Sequence, residues 1–253
     1  MSGTDYEEEL ERLWDSPILV PTETNLMGAA MHLMDGPSFV SQYREIVVAE
    51  IYDFEHAGER PVIIDGGANV GVASLWWLAR WPQARVIAFE PDPMIFEVLQ
   101  HNLRYHASPE LHCSALSTTS LGANFVSQGS DGGRLGSAEE LDMLTVHTMN
   151  LGEVIHRLGR VDLLKLDIEG AETEVLFDAE SHLGQVERIF VEYHSFVGQR
   201  QTLADLLDLL RRVGFRVHLS SPIAAVRPFR NAYLVEGMDL QCNIWAWRVA
   251  DAQ

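Results

Sequence analysis

The chain has 253 residues, 47% of them apolar and 22% charged, enough for one large domain with its own core and too hydrophobic for a disordered chain. A formal net charge of −19 repels phosphate backbones and anionic lipid, so nucleic acid and membrane surfaces are excluded as general partners. No apolar run reaches the roughly 18 residues of a membrane span. The acidic start MSGTDYEEELERL has no apolar leader core, and Cys113 and Cys242 form no CxxC, so a reduced, cytoplasmic protein is expected.

Residues 1–37 mix acids, methionines and turn formers and read as a loosely organised arm, leaving 38–253 as a single domain. From Phe39 to Phe54 the apolar residues fall at helical spacing. PVIID is a short buried strand ending at Asp65, GGANVG turns the chain, and VASLWWLARW is a helix stopped near Pro82. ARVIAFE is a second strand closed by PDP, MIFEVLQHNLRYH an amphipathic helix, and LHCSAL a third strand. Another strand is expected around Asn124 to Val126, followed by the Gly/Ser tract 129–137, which reads as a lid or as a plain hairpin loop. LTVHTM, VDLLKLD and RIFVEYH are strands, separated by the helices LGEVIHRLG and AETEVLFDA. TLADLLDLLRRVG is the last helix, and FRVHLS and CNIWAWRV close the chain as strands. Alternation of this kind predicts an α/β fold with a mostly parallel sheet, whose ligands sit beyond the carboxyl ends of the strands. Two strands after the last helix predict an antiparallel edge.

The first turn selects the cofactor. A dinucleotide fingerprint needs G-x-G-x-x-G, but from Gly67 the second and third glycine positions hold Asn69 and Val72, which argues against a dehydrogenase. What stands there is Asp65-Gly66-Gly67-Ala68-Asn69-Val70-Gly71. An acid before the glycines suits a ligand with an ammonium group, such as the amino-acid end of S-adenosylmethionine. Glu90, at the end of the second strand in FEPDP, is placed to accept both hydrogen bonds of a ribose diol.

The stretches QYREIVVAEIYDF, VIIDGGANVGVASL, VIAFEPDP, VDLLKLDIEGAETEVL and VEYH, in this order and spacing, resemble the FkbM family of S-adenosylmethionine-dependent methyltransferases over about residues 38–195. The resemblance implies a class I methyltransferase (Rossmann-like) fold with a seven-stranded, mostly parallel sheet, an antiparallel last strand and helices on both faces. It implies O-methylation of a hydroxyl on a small molecule, a sugar or glycoside first and a polyketide-type metabolite second. Asp65, Gly66, Gly67, Asn69, Val70 and Gly71 would hold the methionine part of the cofactor with Ser74 nearby, Glu90 the ribose, and Ser114 and Ala115 the adenine, with Pro91 also at the cofactor. Asp167 would border the methyl group.

An alcohol needs a base or a metal ion before it becomes a good nucleophile. The carboxyl ends of the fourth and fifth strands carry Asp167, Glu169, Glu192 and His194. Two mechanisms stay open. His194 or Asp167 is the general base, or Asp167, Glu192 and His194 bind magnesium or a similar hard cation. Lys165, the single lysine among the 18 basic residues, either offsets this acid cluster and reaches the acceptor or forms a fixed buried pair. Glu172 reads as an acid at a helix start, where the dipole favours it. A non-catalytic module that binds S-adenosylmethionine is the rival of a different class, and the arm could support a homodimer.

Overall fold

In the computed structural model, residues 3–126, 134–135, 143–222, 227, 229–230 and 237–249 are described. The chain opens with helix α1 (Gly3–Trp14) and a hairpin of β1 (Thr22–Thr24) and β2 (Met31–Leu33). Helix α2 (Gly36–Tyr43) follows and runs on into a π-helical turn, Arg44–Val48. Strands and helices then alternate through β3 (Val62–Gly66), α3 (Val72–Arg80), β4 (Arg85–Phe89), α4 (Pro93–Leu103) and β5 (Glu110–His112). A set of short strands comes next, β6 (Ala115–Ser117), β7 (Ala123–Val126), β8 (Arg134–Leu135), β9 (Met143–Val146) and β10 (Thr148–Asn150). The alternation resumes with α5 (Leu151–Leu158), β11 (Leu163–Leu166), α6 (Glu172–Asp178), β12 (Arg188–Phe196), α7 (Leu203–Arg212), β13 (Arg216–Ser220) and β14 (Met238–Trp247).

Seven strands form one sheet in the order β13-β14-β12-β11-β3-β4-β5. Strands β12, β11, β3, β4 and β5 are parallel, whereas β14 runs antiparallel to both its neighbours. This is the mostly parallel α/β sheet with a reversed last strand that the sequence predicts. Strand order changes direction at β3, which pairs with β4 on one side and β11 on the other. A crevice at the carboxyl ends of such strands is where this architecture binds ligands.

The apolar runs are continuous because the sheet is buried on both faces. Neighbouring residues divide between two cores. Ile63, Leu163 and Phe190 join one, while Ile64, Leu164, Ile189 and Val191 join the other. Helices α2, α3 and α4 supply the first core through residues such as Phe39, Trp77 and Leu99, and α5, α6 and α7 supply the second through Leu151, Leu176 and Leu206. Each fully buried side chain of this size contributes about 1.5–3 kcal/mol.

Several local readings change, and LTVHTM, expected as one strand, divides into β9 and β10. The described residues of the arm carry α1 and the β1–β2 hairpin, and Leu10, Leu13, Met31 and Leu33 sit in the first core. The helix expected over 39–54 stops at Val48, and Glu50 turns the chain at φ 51°. Beyond it Tyr52 and Phe54 are buried and Ile51 half-buried outside any helix, with the Tyr52 ring edge-on to Phe190 at 4.7 Å, so the spacing there reports packing rather than helix. LHCSAL divides in two, β5 joining the main sheet and β6 pairing with β10. Of the Gly/Ser tract 129–137 only β8 falls within the described residues.

Candidate active site

Between β3 and α3 the backbone enters the left-handed region three times, at Gly67 (φ 74°), Asn69 (φ 48°) and Gly71 (φ 95°). Glycine adopts this region freely and asparagine tolerates it, which is the local reason GGANVG can turn so tightly. The turn is also pressed from two sides. A Cβ at Gly67 would meet the Asp167 carbonyl oxygen at 1.8 Å, and one at Gly71 would meet Leu99 Cδ1 at 2.8 Å.

Lys165 fastens this turn to β11. Its buried amine donates to Gly67 O at 2.5 Å and Gly66 O at 3.3 Å, and pairs with Asp65 at 3.4 Å and Asp167 at 3.5 Å. Burial alone would lower its pKa, but Asp65, Asp167 and Glu192 hold it above the usual value. Asp65 is fully buried and accepts a hydrogen bond from Ser74 Oγ at 2.7 Å. Burial raises the Asp65 pKa, and Lys165 and Ser74 oppose that rise.

The strand ends open into a cavity of about 450 Å³. From β4 and the segments beside it come Phe89, Glu90, Pro91, Ile95, Ser114, Ala115 and Leu116, next to Gly67, Ala68 and Asn69 of the turn. Glu90 accepts from Asn69 N and Asp92 N, both at 2.9 Å. Burial pushes its pKa up to about 7 against the pull of those two N–H groups. Asp92 itself caps α4, its Oδ1 accepting from Met94 N at 2.8 Å ahead of Pro93. The two acids of FEPDP therefore divide between cavity lining and helix cap.

The opposite wall carries Glu45, Tyr52, Asp167, Glu169, Glu192 and His194, with Gln241 beside them. His194 Nδ1 lies 3.0 Å from Glu172 Oε1, and its Nε2 lies 3.7 Å from Glu169 and 3.8 Å from Glu192. Glu172 Oε1 also accepts from Gly170 N at 2.9 Å and Ile168 N at 3.3 Å, so this buried acid ties the loop after β11 to the imidazole. Burial would lower the His194 pKa, yet Glu172, Glu169 and Asp167 carry it up to about 10. Burial raises Glu169 to about 9 and Glu192 to about 8, and neighbouring acids add to both rises. Gln241 Nε2 donates to Glu192. Ligand atoms of Asp167, Glu192 and His194 all lie within 4.8 Å of one another, close enough to surround one cation.

The structure sorts the expected residues. Gly67, Asn69, Glu90, Pro91, Ser114, Ala115, Lys165, Asp167, Glu169, Glu192 and His194 line one cavity. Asp65, Gly66, Val70, Gly71 and Ser74 do not. Asp65 and Ser74 stand behind the wall, where Asp65 is spent on Lys165 and Ser74, so its carboxylate is not part of the cavity lining. Lys165 is a buried, paired lysine that also borders the cavity. β11 ends at Leu166, and Glu169 reaches the cavity from the loop after it, at φ 55°. Glu172, read as a helix-start acid, also holds His194. Glu45, Tyr52 and Gln241 were not singled out from the sequence. Glu45 has a pKa raised by burial and by Asp167, and burial holds the Tyr52 hydroxyl well above its ordinary value.

Residues 65–217 match the family described as the methyltransferase FkbM domain. Over 207 residues the chain is 30% identical to methyltransferase sdnD of Sordaria araneosa, covering 66% of this chain and 79% of that one. Over 216 residues it is 28% identical to the 31-O-demethyl-FK506 methyltransferase FkbM of Streptomyces tacrolimicus, covering 69% and 81%. The crystal structure of methyltransferase FkbM from Methylobacillus flagellatus superposes with a TM-score of 0.50 at 14% identity, covering 96% of this chain and 58% of that one, a likeness of fold alone.

Proposed function

Because this chain belongs to the FkbM family of methyltransferases, we propose that it moves the methyl group of S-adenosylmethionine to a hydroxyl oxygen of a small molecule, a sugar or glycoside first and a polyketide-type metabolite second. The observation that carries the reading is the Glu172–His194 pair, whose Nε2 opens into the same cavity as the glycine turn and Glu90. The name of the Streptomyces relative supports oxygen as the acceptor atom. Several carboxylates on the acceptor wall suit a polyol, which offers many hydroxyl donors. A net charge of −19 supports a small acceptor over nucleic acid or lipid, and among the described residues no helix is long and apolar enough to cross a membrane.

The residues present fit the cofactor. A side chain at Gly67 would fill the turn, and both oxygens of Glu90, each holding one backbone N–H, keep lone pairs free for a ribose diol. The acid excess on the opposite wall suits a positively charged ligand. When bound, S-adenosylmethionine supplies an electrophilic methyl group on a positively charged sulfur. Glu172 accepts from His194 Nδ1–H and so presents Nε2 to the acceptor hydroxyl. Asp167 and Glu192 accept hydrogen bonds from the acceptor and set its angle. His194 Nε2 takes the hydroxyl proton. In the free protein the cluster retains protons, and positive charge entering beside it favours their release, so His194 becomes a base in the loaded site.

A second reading follows from the mutual closeness of Asp167, Glu192 and His194, in which a divalent cation binds the acceptor oxygen. One experiment separates the readings. A labelled methyl is offered to a small-molecule extract of the source organism with magnesium or with chelator, and the product is identified by mass. A methyl ether formed in both halves supports the base mechanism, and one formed only with magnesium supports the metal. Cofactor binding with no transfer in either half would favour the non-catalytic module.

A further inference from the structure

One side chain joins the N-terminal arm to the cofactor turn. Asn102, on α4, is 7% exposed. Its Oδ1 accepts from His32 N at 2.8 Å, and its Nδ2 donates to His32 O at 2.9 Å and to Val70 O at 2.8 Å. The amide thus pairs with the His32 backbone as a neighbouring strand would, and uses its second N–H on the turn.

Val70 lies between the left-handed residues Asn69 and Gly71. Its N–H donates to Asn69 Oδ1 at 2.6 Å and its carbonyl accepts from Asn102, so side-chain amides hold both of its polar backbone groups. Other contacts point the same way. The His101 ring stacks on His32 at 3.8 Å with the planes 19° apart. Leu99 and Leu103 are the atoms a Cβ at Gly71 would meet first. Met31 and Leu33, on either side of His32, are 1% exposed and seat β2 in the core.

We infer that Asn102 is a positioning residue for the cofactor. It fixes the Val70 carbonyl, and through it the Gly67–Gly71 turn, and it makes the shape of that turn depend on the docked arm. The inference rests on the proposed use of S-adenosylmethionine. Its physical basis is that the buried Val70 carbonyl and the part-buried N–H and carbonyl of His32 lose their partner together when the amide is removed. A left-handed turn without that partner relaxes away from the shape its ligand needs.

The test is calorimetric titration of S-adenosylhomocysteine into the full chain, Asn102→Leu and Val154→Ala. Val154 is 2% exposed in the second core, does not line the cavity, and controls for lost stability. Asn102→Leu is expected to weaken binding about tenfold or more, the scale of one unsatisfied buried hydrogen-bonding group. Val154→Ala lowers Tm and leaves Kd unchanged. A Kd for Asn102→Leu within about twofold of wild type would overturn the inference, as would an equal weakening in Val154→Ala. Amide hydrogen exchange on the unmutated chain tests the same coupling without a substitution. S-adenosylhomocysteine is expected to slow exchange at His32 along with the turn amides, and slowing confined to the turn would overturn the inference. Failure of the unmutated chain to bind S-adenosylhomocysteine would instead remove the cofactor reading, and the inference with it.

Discussion

Lys165→Met keeps most of the side-chain volume and removes one charge. The amine serves four oxygens, those of Gly66, Gly67, Asp65 and Asp167, at 2.5 to 3.5 Å. The Asp65 side chain is 0% exposed, and without Lys165 its hydrogen-bond partner is Ser74. Breaking one side of a buried pair costs about 3–5 kcal/mol, because a charge is left without compensation. Asp65 recovers part of this by taking a proton, since burial already raises its pKa and Lys165 is the main opposing influence. The loss is therefore expected to be about 3 kcal/mol at pH 7.5 and smaller at pH 5, where protonation is easier. Arg211→Met is the comparison, because the Arg211–Asp208 pair is 74% and 54% exposed and surface pairs of this kind contribute little. Urea unfolding of the three proteins at both pH values measures the difference. Equal losses in the two variants, or a loss in Lys165→Met that does not depend on pH, would refute the reasoning.

The other predictions concern the turn, the acid cluster and the imidazole. Gly67→Ala places a Cβ 1.8 Å from the Asp167 carbonyl at φ 74°, so β3 and β11 must separate; Tm is expected to fall and S-adenosylhomocysteine binding to vanish, and wild-type binding would contradict the close approach. Glu169 and Glu192 have native pKa values raised from 4.5 to about 9 and about 8, and His194 is raised from 6.5 to about 10. All three bind protons more tightly in the native state, so the stability they add is full in acid and is lost as pH rises through these native values. Stability should thus fall between pH 5 and pH 9, and a Glu169→Gln/Glu192→Gln protein should show a flatter profile; an equally steep profile would locate the effect elsewhere. Glu172→Gln removes the acid that most raises His194, so the pH dependence of kcat/KM should move toward acid and kcat should fall. An unchanged profile would detach Glu172 from the mechanism.

What the sequence made legible was local. Glycines in a turn and acids at strand ends are read directly, because strand, turn and helix start are set by neighbours a few residues apart. Asp167, Glu90 and His194 therefore stood out. Side-chain direction was not legible in the same way. Asp65 lies at the right strand end but turns toward Lys165, a contact made between strands 100 residues apart. Glu45 and Tyr52 come from a π turn and the coil after it, whose apolar spacing imitates a longer helix. Asn102 lies in a segment that reads only as an amphipathic helix, and its covering by the docked hairpin is a tertiary contact 70 residues away in sequence. Glu172 does sit at a helix start, yet its bond to His194 required knowing that β12 lies beside β11.

The most direct measurement pairs cofactor binding with methyl transfer in His194→Gln, once an acceptor has been found by the labelling experiment. Gln preserves a polar side chain and cannot take the proton. The expected result is S-adenosylhomocysteine binding close to that of the unmutated chain with transfer to the hydroxyl reduced by about 10²–10⁴-fold, the usual contribution of a general base. Transfer at the unmutated rate, with the same methyl ether formed, would contradict the assignment of His194 and with it the chemistry proposed for this cavity.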